Sequence, residues 1–183
     1  IDTDGAGNTA SASVSFTLDT TLATPTLALT TDSGTPGDNR TNSAALTLSA
    51  AASDVTRAYT INGGTASPSY TAPTADGDYT VVVTDTDTAG NTKSASITFT
   101  LDTTIATPTV ALTTDSGTAG DGLTNDASLS FSVAASDVSR TYKVDGGTAT
   151  TSYTAPTTDG SHTVEVIDTD GAGNTASASV SFT

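Results

Sequence analysis

Two copies of one pattern, 83 residues apart, constrain this chain more than any other feature. Thr17-Leu18-Asp19-Thr20-Thr21-Leu22-Ala23-Thr24-Pro25 returns as Thr100-Leu101-Asp102-Thr103-Thr104-Ile105-Ala106-Thr107-Pro108. Ile1–Thr17 returns letter for letter as Ile167–Thr183, and in altered form as Thr84–Thr100. A period of this length describes copies of one small fold placed in series, not a single large domain. The phase divides the chain into three pieces: residues 1–17 as the tail of a preceding copy, then Leu18–Thr100 and Leu101–Thr183 as complete repeats. Residues 1–17 cannot close a fold alone. They are expected to lie frayed or against a neighbour's sheet edge, with Val14 and Phe16 uncovered.

Within each repeat apolar residues recur at every second position, the signature of half-buried strands. Leu27 and Leu29 begin the series, followed by Leu46, Leu48 and Ala50. Tyr59 and Ile61 come next, ended by the turn Asn62-Gly63-Gly64. Tyr70 marks a short segment before Pro73; Tyr79, Val81 and Val83 mark the sixth strand, and Ala95, Ile97 and Phe99 the last. The second repeat keeps the phase, from Val110 and Leu112 to Val180 and Phe182. Ser and Thr fill the alternate positions, so one face is apolar and the other wet. About seven short strands per repeat predict an all-β protein of two tandem Ig-like β-sandwich domains, end to end. Asp76-Gly77-Asp78-Tyr79 stands where such sandwiches carry a tyrosine corner, and His162 stands at the matching place in the second repeat. The histidine is expected to replace the corner tyrosine.

Composition removes several classes of function. The 183 residues include no Cys, which excludes disulfides and thiolate zinc sites. Five Lys and Arg stand against 20 Asp and Glu, a formal charge of −15, so nucleic-acid phosphate would be repelled. No apolar run reaches the ~18 residues of a membrane span. One His and one Glu, with no Ser-His-Asp set recurring in both repeats, argue against an enzyme and against a small-molecule substrate. The five cations, Arg40, Arg57, Lys93, Arg140 and Lys143, read equally as guards of strand edges or as surface charge.

The kind of acid is more telling than the amount. Glu165 is the single Glu; every other acidic residue is Asp, a turn former and a hard-oxygen ligand. Ig-like topology brings the first repeat's lower loops to the linker and to the upper loops of the second. Asp32 and Asp38 would arrive from the loop Thr31–Asp38, Asp102 from the linker, and Asp168 and Asp170 from the loop Asp168–Asn174. Asp76, Asp78 and Asp137 fall at the same level. Bare carboxylates gathered so closely repel, and Ca2+, which takes six to eight oxygens in flexible geometry, is the expected remedy. The pattern is not an EF-hand, since no bidentate Glu follows and no helices flank it.

LDTT…TP, TDSGT-x-GD and D-T-D-x-A-G-N, the last followed by an alternating strand, resemble the tandem bacterial Ig-like extender repeats of giant RTX-type biofilm adhesins. The resemblance covers nearly all of both repeats. It implies extracellular stalk domains on a bacterial cell surface, stiffened by Ca2+ at their junctions and supporting adhesion and biofilm formation. It also implies a monomer whose partners are adjacent repeats of the same protein, with no direct membrane insertion. Carried over, the family's linker acid falls on Asp19 and Asp102. Its last-hairpin acids fall on Asp85 and Asp87 and on Asp168 and Asp170; its first-loop acids fall on Asp32 and Asp38 and on Asp115 and Asp121. Thr88 departs from the pattern where the second repeat has Gly171. The alternative is a module binding carbohydrate or a host receptor, which would need exposed aromatics, whereas Tyr and Phe here sit mostly in core phase. Ice binding is a weaker third reading, because Thr pairs such as Thr86 and Thr88 are what a solvated sheet face carries anyway.

Overall fold

The computed structural model describes residues 1–183 and contains strands but no helix. Strands β1 (Asp2–Thr3) and β2 (Thr9–Ala10) pair only with each other, around a turn closed by the Asp4 carboxylate on Ala6 and Asn8. Beyond them residues 11–26 form no strand, and Val14, Phe16 and Leu18 are exposed.

The first repeat consists of β3 (Leu27–Leu29), β4 (Arg40–Thr41), β5 (Leu46–Leu48), β6 (Val55–Ile61), β7 (Gly77–Asp87) and β8 (Thr92–Leu101). One sheet is the antiparallel pair β3-β5; the other runs β4-β8-β7-β6, with only β4 parallel to its neighbour. Register places Tyr79 opposite Phe99, Val81 opposite Ile97 and Val83 opposite Ala95. Val81, Phe99 and Leu101 face inward with Ala44, and Leu27, Leu29, Leu46, Ile61, Tyr70 and Tyr79 close over them. Each fully buried side chain of this kind contributes about 1.5–3 kcal/mol, so a repeat with so few of them has little surplus. The second repeat consists of β9 (Val110–Leu112), β10 (Leu129–Phe131), β11 (Ser139–Val144), β12 (His162–Thr169) and β13 (Thr175–Phe182), in sheets β9-β10 and β11-β12-β13.

The structure departs from the sequence reading at two places. The segment around Tyr70 is no strand; a single bridge, Tyr59 to Ser67, stands there, and the Tyr70 hydroxyl donates to the Ala44 carbonyl at 2.6 Å. Tyr153 does the same to Ala127. The sixth strand is also longer than its apolar residues suggest. Asp85 and Asp87 belong to β7 and Asp168 to β12, whereas the sequence placed all of them in loops. Alternation explains the difference: Asp85 and Asp87 continue the inward face of Val81 and Val83, and are themselves buried.

The corner is as expected. Tyr79 donates to the Ala75 carbonyl four residues upstream, and His162 meets the Thr158 carbonyl at the same offset through Nε2. Nδ1 of His162 lies 2.8 Å from Asp145. That carboxylate and the Thr158 carbonyl raise the pKa of the imidazole above its ordinary value.

Candidate functional site

The linker between the repeats has no free residue from Thr100 to Thr104. The Thr100 hydroxyl donates to Asp78, and the Leu101 side chain is buried in the first repeat. The amide of Asp102 donates to the Thr41 carbonyl, while its own carbonyl accepts from the Asn174 amide group of the second repeat at 2.9 Å. Asp76 takes the Thr103 amide at 2.9 Å and the hydroxyls of Thr103 and Thr104 at 2.7 and 3.1 Å. These bonds hold the Asp76 carboxyl below its usual pKa range. The segment is thus bound residue by residue to the first repeat and at Asp102 to the second, unlike a solvated Gly/Ser linker.

Above the linker the two repeats touch directly. The Ser33 hydroxyl donates to the Ala172 carbonyl at 2.6 Å. Gly34 lies so close to the facing hairpin that a Cβ built on it would stand 2.1 Å from the Gly171 carbonyl oxygen. Gly173 is as tightly placed, with its Cβ position 2.8 Å from the Gly34 nitrogen. Their counterparts Gly117 and Gly90 have nothing within 4 Å. All four adopt positive φ for their own turns, so glycine is required twice over at the joint and once elsewhere.

Arg40 crosses the same joint. Its Nη2 donates to Asp102 Oδ2 at 2.9 Å and to Asp137 Oδ2 at 2.5 Å, binding the linker and the second repeat to β4 of the first. Its Nη1 rests against Gly171. The two carboxylates raise the guanidinium's pKa further, so it is charged at every accessible pH.

Each of the ten acids singled out from sequence has at least one hydrogen-bond partner. Asp85 receives a two-pronged ion pair from Arg57, at 2.7 Å on both oxygens, and Arg57 also donates to the Ser49 carbonyl beyond β5. Asp168 receives Arg140 in the same way, at 2.6 and 2.7 Å, with Ser132 as the third partner. The pairs are buried and tie each repeat's two sheets together. Asp87 and Asp170 close their hairpins by accepting from the backbone and side-chain amides of Asn91 and Asn174. Asp32 and Asp115 each take a glycine amide, Gly37 or Gly120, through Oδ2, and leave Oδ1 buried without a partner. Asp38 and Asp121 accept from the amides of Arg40 and Leu123. Asp19 and Asp102 accept from Thr21 and Thr104.

The structure does bring Asp102, Asp168 and Asp170 together, with Asp137, around one cleft of about 230 Å³, and it sets Asp32's loop against their hairpin. Asp19, Asp85 and Asp87 occupy the equivalent upper end of the first repeat; Asp115 and Asp121 lie in the second repeat's own first loop. Nowhere do three His, Asp or Glu side chains converge as a ready cation cage. At this joint both oxygens of Asp168 and Asp170 are taken, and a guanidinium lies between Asp102 and Asp137. As folded, these acids hold amides and guanidinium groups, while Asp32 Oδ1, on the loop at this joint, and Arg40 Nε stay buried without a partner.

Sequence reasoning missed Arg40, Arg57 and Arg140 as structural groups. A signal was present: Arg57 and Arg140 recur in phase, 83 residues apart, whereas Arg40 faces Leu123, Lys93 faces Ala176 and Lys143 faces Thr60. A cation repeated in phase marks an internal partner, and a cation that breaks phase marks a place where one repeat differs.

Two sandwiches in series, joined by a bound linker and with no recurring catalytic set, define a tandem-repeat β-sandwich protein. The chain belongs to the bacterial Ig-like domain family, whose Big_13 model matches residues 21–103 and again 104–183. No curated protein sequence matches it. Similar solved structures include the fibronectin(III)-like modules of Clostridium thermocellum CbhA, at 14% identity over 86% of this chain and 93% of that one, with a TM-score of 0.48. Another is a tetra-tandem repeat from the extending region of a large adhesion protein, at 25% identity over 90% of this chain, with a TM-score of 0.32. The chain spans half the length of that second structure.

Proposed function

We propose that the chain is a length of extracellular stalk in a large adhesion protein of the RTX type, spacing an adhesive tip from the bacterial surface during biofilm formation. The observation that carries this reading is the joint: the first repeat's Ser33 and Gly34 seat on the second repeat's Gly171–Gly173 hairpin beside a linker whose Asp102, Thr103 and Thr104 are all hydrogen-bonded. A chain built for reach needs that fixed join more than it needs a pocket. Each repeat would add ~30–40 Å, from strands of about ten residues at 3.3 Å each plus loops. Calcium belongs in this reading at joints where leucine, as at Leu123, replaces Arg40 and leaves the recurring acids with one cation fewer.

The test is length against repeat number. Chains of two, four and six of these repeats, measured by small-angle X-ray scattering, should lengthen by a constant step per repeat. Growth with the square root of repeat number, the behaviour of a flexibly jointed chain, would refute the stalk.

A further inference from the structure

We infer that Arg40 is a built-in cation that locks this joint without metal. Asp102 and Asp137 reach it from the linker and from the second repeat, and Arg40 itself belongs to β4 of the first. One guanidinium nitrogen therefore binds three pieces of chain that no other side chain brings together. Nη2 alone spans the two carboxylates, Nη1 lies against Gly171, where the backbone carries no Cβ to obstruct it, and Nε is buried without a partner.

The repeat pattern supplies the second line of support. The acids recur in phase, Asp19 with Asp102, Asp54 with Asp137 and Asp85 with Asp168, but the cation does not. Leu123, at Arg40's place in the second repeat, is exposed at 58%. Asp102, Asp137, Asp168 and Asp170 line the joint cleft; Arg40 pairs with the first two and Arg140 with Asp168. Deleting Arg40 leaves four carboxylates with one guanidinium, and that one is committed to Asp168. Such a joint opens unless another cation enters. Whether the joint depends on an added cation is thus written into a single position, arginine giving a joint indifferent to chelators and leucine a joint that is not. The inference rests on the stalk reading for its biological meaning, and on the ion pairs alone for its physics.

The absence of cysteine allows a clean test. Thr80→Cys and Ser179→Cys, both at exposed positions, place one spin label on each repeat, and electron–electron resonance gives the distribution of distances between them. In the labelled chain the distribution should be narrow and unchanged between millimolar calcium and excess chelator. Adding Arg40→Leu should broaden it at least twofold in chelator, with each repeat's melting temperature little changed, since the second repeat folds with leucine at that place. Asp137→Asn, which leaves Arg40 and the first repeat intact, should broaden it less and in the same direction. An Arg40→Leu distribution as narrow as the parent's in chelator would overturn the inference, as would a parent that broadens on chelation. A parent that is broad in both conditions would instead refute the stalk reading itself.

Discussion

Gly34→Ala isolates the direct contact between the repeats, because the molecule contains its own control. Gly34 and Gly117 occupy the same turn of the two repeats, at φ of 76° and 80°. An alanine at either place adopts a left-handed conformation and costs its own repeat about 1–2 kcal/mol. At Gly117 nothing further happens, since no atom lies within 4 Å of the new Cβ. At Gly34 the new Cβ falls 2.1 Å from the Gly171 carbonyl oxygen, and backbone blocks it on both sides. Carbon–oxygen contact needs about 3.5 Å, so the loops must part by more than about 1 Å. That breaks the Ser33–Ala172 hydrogen bond, worth about 0.5–1.5 kcal/mol, and draws Arg40 away from Gly171. Urea unfolding should show a loss in both variants, larger for Gly34→Ala by no more than about that hydrogen bond. The spin-label distribution across the joint should widen only for Gly34→Ala. Equal distributions for the two variants would refute the packed joint.

Other perturbations separate the internal ion pairs, the corner and the linker. Asp85→Asn strands Arg57 in a buried site and should cost about 3–5 kcal/mol by urea unfolding, whereas Glu165→Gln, whose partner Lys143 is half-exposed, should cost under about 1 kcal/mol. The His162–Asp145 pair makes the second repeat pH-sensitive. The raised histidine pKa gives stability that is complete below pH 6.5 and lost as pH rises through the raised value, while the lowered pKa of Asp145 gives stability lost only as pH falls below its ordinary 3.8. The second repeat's melting temperature should therefore fall between pH 6 and 8 while the first repeat's, built on Tyr79, holds; His162→Tyr should abolish the difference. Asp76→Ala removes the acceptor for Thr103 and Thr104, and amide exchange at Thr103 should quicken at least tenfold with the core amides unaffected.

The fold was legible because its signal is carried by many residues at once. Alternation from Val81 to Phe99, with Ser and Thr between, left no room for helix, and the 83-residue step counted the domains. The meeting of the first repeat's opening loop with the second repeat's last hairpin followed from strand order alone. What alternation could not show was which side an Asp takes. Asp85 and Asp87 sit two and four residues past Val83, in the inward phase, yet an acid in that phase suggests a strand's end until a guanidinium is found opposite. Arg57 comes from a different strand, and only the fold brings it there. Arg40 was harder still, since its partners lie 62 and 97 residues away and its meaning depends on the leucine that replaces it in the next repeat. The acids expected to hold calcium also close turns and pair with arginine, a role the sequence alone did not show, because short Asp side chains reach neighbouring amides first.

Residual dipolar couplings test most directly whether the two repeats keep one orientation. Couplings from Leu27–Leu101 and from Val110–Phe182, measured in one weakly aligning medium, each yield an alignment tensor. Two tensors equal in magnitude and direction, with and without chelator, are the expected result for repeats joined as described. A second tensor of markedly smaller magnitude or different direction would mean that the repeats turn independently, and no stalk could be built from them.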